Sequence, residues 1–214
     1  MTSTDERPHK LTPKGLVTRE RIIEAATHLI YKHGAQSTNN EMVRAAAGVS
    51  GSQLSHYFPD KESLVRAVIA GCADSMMGLR ESPPRGALDS FEALRAWAYS
   101  YIGREDVLEG GCSFGSLASE IMKTGLDVHD EIAAGFNRWR DVFRSGLQAM
   151  RNRGDLRRDA DLDQLADALM AAFQGGMLLT QAVRDVAPLR NALLGAIAYT
   201  ESYAPRRRGR GGGS

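Results

Sequence analysis

Residues 18–61, TRERIIEAATHLIYKHGAQSTNNEMVRAAAGVSGSQLSHYFPDK, carry the pattern that decides the fold. Two short helical stretches are joined by Ala47-Gly48-Val49-Ser50. A sharp turn between helices needs a residue that tolerates positive φ, an apolar plug for the junction and an N-cap for the next helix. Gly48, Val49 and Ser50 supply these in order. Upstream, Ile22, Ile23, Ala26, Leu29 and Ile30 recur at helical spacing from Thr18, a candidate N-cap, and Gly34 supplies the stop. Ser50 followed three residues later by Gln53 is a capping box, so a helix opens there with Leu54 and Phe58 turned inward. Ser52, Gln53, Ser55, His56 and Tyr57 are left facing outward. Hydroxyls, an amide and an imidazole without an acid suit phosphates and base edges in a major groove better than a cation. Pro59 then breaks the chain, and Asp60 caps a helix whose apolar run is Leu64, Val65, Val68 and Ile69. Lys61 falls where free backbone N–H groups welcome a phosphate. The pattern is a helix-turn-helix, and duplex DNA is the partner it implies.

The segment resembles the DNA-binding domain of the TetR-like (TetR/AcrR) family of bacterial transcriptional regulators. The matching features are the run TRERIIEAA, a threonine opening helix two, AGVS at the turn, and the Tyr57-Phe58-Pro59-x-Lys61 exit. The resemblance implies an all-α chain of about nine helices. It divides into a flexible arm over 1–13, a three-helix DNA-binding domain over 14–62, an effector-binding and dimerisation domain over 63–204, and a basic Gly-rich tail over 205–214. It further implies a homodimer, mostly a repressor, bound to a palindromic double-stranded DNA operator and released by a small-molecule effector. Carried over residue by residue, it assigns Thr38, Tyr57 and Lys61 to phosphates, and Ser52, Gln53 and His56 to the base-facing surface. Gln53 either reads adenine with both amide atoms, worth roughly 1–3 kcal/mol of discrimination, or completes the capping box.

Three positions depart from the family pattern. Ser55 stands where a tyrosine is common and shortens one phosphate contact. Asn40 replaces an apolar residue, and Arg44 replaces a small one. Either Arg44 snorkels toward the DNA backbone and joins the phosphate contacts, or helix two is rotated so that Met42 and Val43 with Ala46 form the buried stripe.

The 214 residues, 43% of them hydrophobic, support a small head plus a second helical core. A formal net charge of +1 gives no uniformly basic footprint, so DNA binding has to rest on locally placed cations, helix N-termini and two linked heads. No apolar stretch reaches the ~20 residues of a membrane helix, and the first residues lack a signal-peptide core. A cytoplasmic protein without a membrane partner is expected. Cys72 and Cys112 show neither CxxC nor histidine spacing, so no disulfide framework, metal site or other cofactor is indicated. Arg206, Arg207, Arg208 and Arg210 read as a solvated tail in preference to a phosphate-binding arm.

Downstream, helical periodicity is punctuated by Glu81-Ser82-Pro83-Pro84-Arg85-Gly86, by a turn at Glu109-Gly110-Gly111 and by Gly154-Asp155. The spacing predicts helices over 87–103, 112–123, 127–153, 161–184 and 187–202. The last two carry apolar stripes through Leu165, Leu169, Ala172, Gly176, Leu179 and Val183, and through Leu189, Leu193 and Ile197. The resemblance places the dimer interface there, while packing within the chain accounts for part of the same stripes. It places the effector pocket among the middle helices, where Trp97, Tyr101, Phe114, Met122, Phe136, Trp139, Phe143, Phe173 and Met177 favour an apolar or aromatic ligand. Tyr101, Asn137, Gln174 or Gln181 would supply its polar orientation.

Cys112 follows two glycines at a predicted helix start, where the dipole would favour a thiolate; a redox- or electrophile-sensing regulator is the alternative reading. An all-helical protein-binding adaptor is another. His28 and His33, or Asp127, His129, Asp130 and Glu131, are explained by solvation and capping, and no nucleophile elbow, P-loop or HExxH motif occurs. An enzyme is not expected.

Overall fold

The computed structural model describes residues 11–76, 87–104 and 107–205. The described residues form ten helices and no strand: α1 (Pro13–His33), α2 (Asn40–Ala47), α3 (Gly51–Tyr57), α4 (Lys61–Met76), α5 (Phe91–Ile102), α6 (Val107–Gly110), α7 (Ser113–Met122), α8 (His129–Arg153), α9 (Leu162–Val183) and α10 (Ala187–Glu201). The short α6 occupies part of the expected turn before Gly111. The Pro83-Pro84 break and the arginine tail lie outside the described residues.

α1 is capped six residues before the expected Thr18, by Thr12. Thr12 accepts from the Gly15 N–H at 3.2 Å, and Pro13 follows it, where a missing N–H costs nothing. Thr18 instead donates its hydroxyl to the Lys14 carbonyl inside the helix. On α2 the buried stripe is Val43 and Ala47; Met42 is half-buried, and Ala46, Asn40 and Arg44 are exposed. The expected alternative with Ala46 in the stripe is therefore wrong by one helical step, and Arg44 is exposed. α5 begins at Phe91 behind a Ser90 cap, although Leu88 is buried in front of it.

The head and the body share one hydrophobic core. Ile22, Ala26 and Ile30 of α1 meet Val43, Leu54, Phe58 and the α4 residues Leu64, Val65 and Val68, and the cluster continues into Phe114, Leu117 and Ile132. α4 packs on α1, α7 and α8. Arg66 of α4 ties it to α8 through the carboxylate of Glu131 and through the Asp127 carbonyl, the latter at 2.6 Å. In the body, Trp97, Tyr101, Trp139, Phe143 and Phe173 interlock edge-on or tilted at centroid distances of 4.7–5.7 Å, a favourable aromatic geometry.

α9 and α10 form a tight hairpin. Gly176 admits the backbone of Leu189, whose Cα would lie 3.0 Å from any Cβ at that position, and Thr180 accepts from the Leu189 N–H at 3.1 Å. α8 and α9 are clasped on the surface by Arg140 and Arg144, both bonded to Asp163. The hydrogen bond from Arg144, joined by that from Arg140, holds the Asp163 carboxyl below the usual carboxylate range.

Two outcomes follow from this packing. A Cβ at Gly146 would fall inside the Leu88 carbonyl, so Gly146→Ala lowers stability by about 1–3 kcal/mol in urea unfolding while helical content is retained. Because the Asp163 pKa is lowered by folding, its stabilisation is present above the ordinary carboxylate pKa and is lost as pH falls through the lowered value. Asp163→Asn shifts the urea midpoint slightly down at neutral pH, and the difference from the parent vanishes on strong acidification.

Candidate nucleic-acid interface

The turn that sets α3 is built from the expected residues. Gly48 sits in the left-handed region at φ 62°, ψ 42°, and Val49 behind it is buried, its N–H donating to the Arg44 carbonyl at 3.1 Å. Ser50 accepts from the Gln53 N–H at 3.1 Å while Gln53 Oε1 accepts from the Ser50 N–H at 2.9 Å, which closes the capping box. Leu54 and Phe58, each 4% exposed, anchor the helix. Ser52, Gln53, Ser55 and His56 are exposed on it, and Tyr57 is half-buried with its ring edge-on to His56 at 5.0 Å. The outer face therefore presents hydroxyls, an amide and an imidazole without an acid.

One of the expected contacts is corrected by this geometry. Thr38 is 4% exposed and its hydroxyl donates to the Gly34 carbonyl at 2.9 Å, so it has no proton left for a phosphate oxygen, which only accepts. α2 is capped one residue later by Asn39, whose side chain accepts from the Met42 N–H at 3.0 Å. A run of Thr-Asn-Asn offers successive capping residues, and spacing alone does not choose between them. Gln53 is exposed and its oxygen accepts one bond in the capping box, which holds the side chain against the helix start while the second lone pair and the NH₂ stay available to a base edge.

Lys61 opens α4 and extends its ammonium to the Gln36 carbonyl at 3.4 Å. Gln36 in turn donates to the Lys123 carbonyl at the end of α7, at 3.3 Å. The α1–α2 loop thus touches a candidate phosphate ligand on one side and the body on the other. Asp60 accepts from the Ser63 N–H at 2.7 Å, and this bond holds its carboxyl below the usual range.

The expected effector set is placed differently from the cavities. Trp97, Tyr101, Phe114, Trp139, Phe143, Phe173 and Met177 are buried against one another or their neighbours, while Met122 lies half exposed at the end of α7. Of the whole set, only Phe136 lines one of the described cavities. That cavity, of about 510 Å³, is bounded by α7, α8 and α9 and also holds Cys112, Ser116, Ser119, Glu120, Gln174 and Gln181. A second, of about 380 Å³, lies between α1, α4 and α7. Aromatic composition identified mostly core, and of the expected site only Phe136 with the polar Gln174 and Gln181 reaches the hollow between α7, α8 and α9, among small, polar and acidic side chains.

Cys112 is the N-cap of α7, but burial pushes its thiol pKa up against the lowering by the Gly115 N–H and the Gln174 amide. This overturns the expected thiolate.

The expected dimer stripe divides. Leu165, Leu169, Gly176, Leu189, Leu193 and Ile197 are buried inside the α9–α10 hairpin and its neighbours, and Ala172 is half-buried. Leu179 and Val183 are exposed, joined by Leu178, which is 66% exposed, and by Ala171, Gly175 and Ala182. α9 carries two apolar stripes, and the bulkier one is spent within the chain.

Residues 22–68 match the pattern of bacterial regulatory proteins of the tetR family, and residues 87–195 match the tetracyclin repressor-like C-terminal domain. The chain is 25% identical over 172 residues to the HTH-type transcriptional repressor DhaR of Mycobacterium sp. (strain GP1), covering 80% of this chain and 86% of that protein. It is 30% identical over 78 residues to the HTH-type transcriptional repressor KstR2 of Rhodococcus jostii (strain RHA1), covering 36% and 38%. The fold is similar to that of a TetR-family regulator from Cytophaga hutchinsonii, with a TM-score of 0.75 at 17% identity over 92% of this chain and 100% of that one. A TetR regulator from Chloroflexus aurantiacus J-10-FL gives 0.74 at 23% identity over 90% and 98%.

The state of Cys112 is checked by labelling. In a Cys72→Ser chain, which removes the half-buried second thiol, Cys112 resists an aromatic disulfide reagent until denaturant opens α7, whereas prompt modification of the native variant would contradict its burial.

Proposed function

Because this chain belongs to the TetR family of bacterial regulatory proteins, we propose that it is a homodimeric repressor whose two heads read a palindromic operator and release it when a small molecule binds the body. Its regulation of transcription through DNA is the premise. Dimerisation, repression and ligand response are the proposal.

One observation carries the reading: α3 turns a polar, acid-free face to solvent while its apolar side is locked into the head. Ser52 and His56 are assigned to base edges, with the Gln53 NH₂ as a donor beside them. Arg44, Ser55, Tyr57 and Lys61 are assigned to the flanking phosphates, with the exposed Asn39 and Asn40 in the place vacated by Thr38.

A head this small buries too little area for tight specific binding, and two of them spanning about 34 Å, one DNA turn, overcome that. The outward face of α9, with Leu178, Leu179 and Val183 exposed beside small residues, supplies the surface for the pairing. Repression is favoured by the likeness to DhaR, named a transcriptional repressor. An effector acts by preferring a conformation whose heads are wrongly spaced for the half-sites, and a full switch requires roughly 10⁴-fold differential affinity. Its site would be a cavity beside α7 in place of the closed aromatic cluster.

Selection of bound fragments from random duplexes should return a palindrome, and the affinity for it should fall steeply with salt. Tyr57→Phe combined with Lys61→Ala weakens binding to all duplexes and flattens the salt slope, whereas Ser52→Ala relaxes preference at one base position. Binding that ignores salt would favour a protein-binding adaptor, and a monomer by light scattering at micromolar concentration would remove the pairing.

A further inference from the structure

The cavity between α1, α4 and α7 lies where the head joins the body, and its lining carries a chemical preference. One wall is a row of α1. Glu20, Glu24, Thr27 and His28 are spaced so that they share one helical face. Its floor is apolar, from Ile23 and Leu117, both buried, and Cys72 of α4 also lines it. At about 380 Å³ it falls within the size range of small-molecule sites.

Among the described lining residues there are two carboxylates and no lysine or arginine. A carboxylate ligand seated on the apolar floor would be brought against the Glu24 carboxylate, which costs free energy, while an ammonium gains by the same interaction, in both cases damped by the solvent at the exposed Glu24. An apolar body satisfies the floor, and the positive group meets the α1 row beside the His28 ring.

We infer that this joint cavity binds compact apolar amines as their ammonium ions, through Ile23 and Leu117 for the hydrocarbon and Glu24 for the charge. Because α1 carries the reading head and packs on both α4 and α7, an occupant there favours one head position over another. That last consequence rests on the regulatory reading above; the binding itself does not.

The test is calorimetric titration of the full chain with two probes of the same cage, adamantan-1-amine and adamantane-1-carboxylate. The amine should bind about tenfold more tightly than the carboxylate, a difference of about 1.4 kcal/mol. Glu24 is exposed, so Glu24→Lys leaves the fold intact and reverses the order. Thr27→Trp, which fills the cavity from its rim, removes binding of both. Absence of amine binding at about 5 mM, equal affinity for the two probes, or an unchanged preference in Glu24→Lys would overturn the site. Mobility shift with the selected duplex, run on the same samples, keeps the two claims apart: failure to bind DNA strikes the regulatory reading, and unchanged DNA affinity with bound amine strikes only the head displacement.

Discussion

The burial of Leu54 and Phe58 in the core of the head is the contact on which the recognition surface depends. α3 has only seven residues, and an isolated helix of that length does not persist in water. It exists because two apolar side chains are fixed in the head core, because Gly48 turns the chain sharply enough to bring them there, and because Ser50 and Gln53 satisfy each other's backbone groups at the exposed end. The polar face outward is then a geometric consequence. At helical spacing, burying positions 54 and 58 leaves 52, 53, 55 and 56 in solvent.

The same core makes the head sensitive to the body. α3 packs on α2, which packs on α1, and α1 and α4 are gripped from behind: α1 by α7, and α4 by α7 and α8. Polar ties run alongside, from Gln36 to the end of α7 and from Arg66 to Glu131 and the Asp127 carbonyl. A ligand that shifts α7 or parts α1 from α4 therefore acts on elements that position Lys61 and α3. Closely packed helices slide or tilt as units, and small displacements at such a joint become larger ones at the tips of the heads.

What the sequence made legible was decided by whether a residue's role is local. The turn is local: positive φ, apolar plug and cap follow from three consecutive residue types, and Gly48, Val49 and Ser50 adopt those roles. The all-helical architecture was legible for a related reason, since the 3.6-residue apolar period survives in every long segment. Start points were less so, because Thr12, Thr18, Thr38 and Asn39 are all competent caps and tertiary packing selects among them. Cavities were legible only at Phe136, Gln174 and Gln181, which line the hollow between α7, α8 and α9. Aromatic residues such as Phe143 and Phe173 fill volume and so mark where a ligand is excluded, while the hollows beside α7 depend on small side chains from helices far apart in sequence. The two stripes of α9 look alike as lists of apolar residues, and the helices packed on it, α6, α8 and α10, determine that Leu169 is core and Leu178 is surface.

The central claim, that α3 enters a DNA groove with its polar face toward the bases, is tested most directly by photocrosslinking. A benzophenone side chain at Ser52 is irradiated in complex with the selected duplex, with a second probe at Leu178 on the outward face of α9 as the comparison. The account predicts crosslinks from position 52 to bases of each half-site and none from position 178. Crosslinks from position 178 alone, or none from position 52 when the duplex is fully bound, would contradict it.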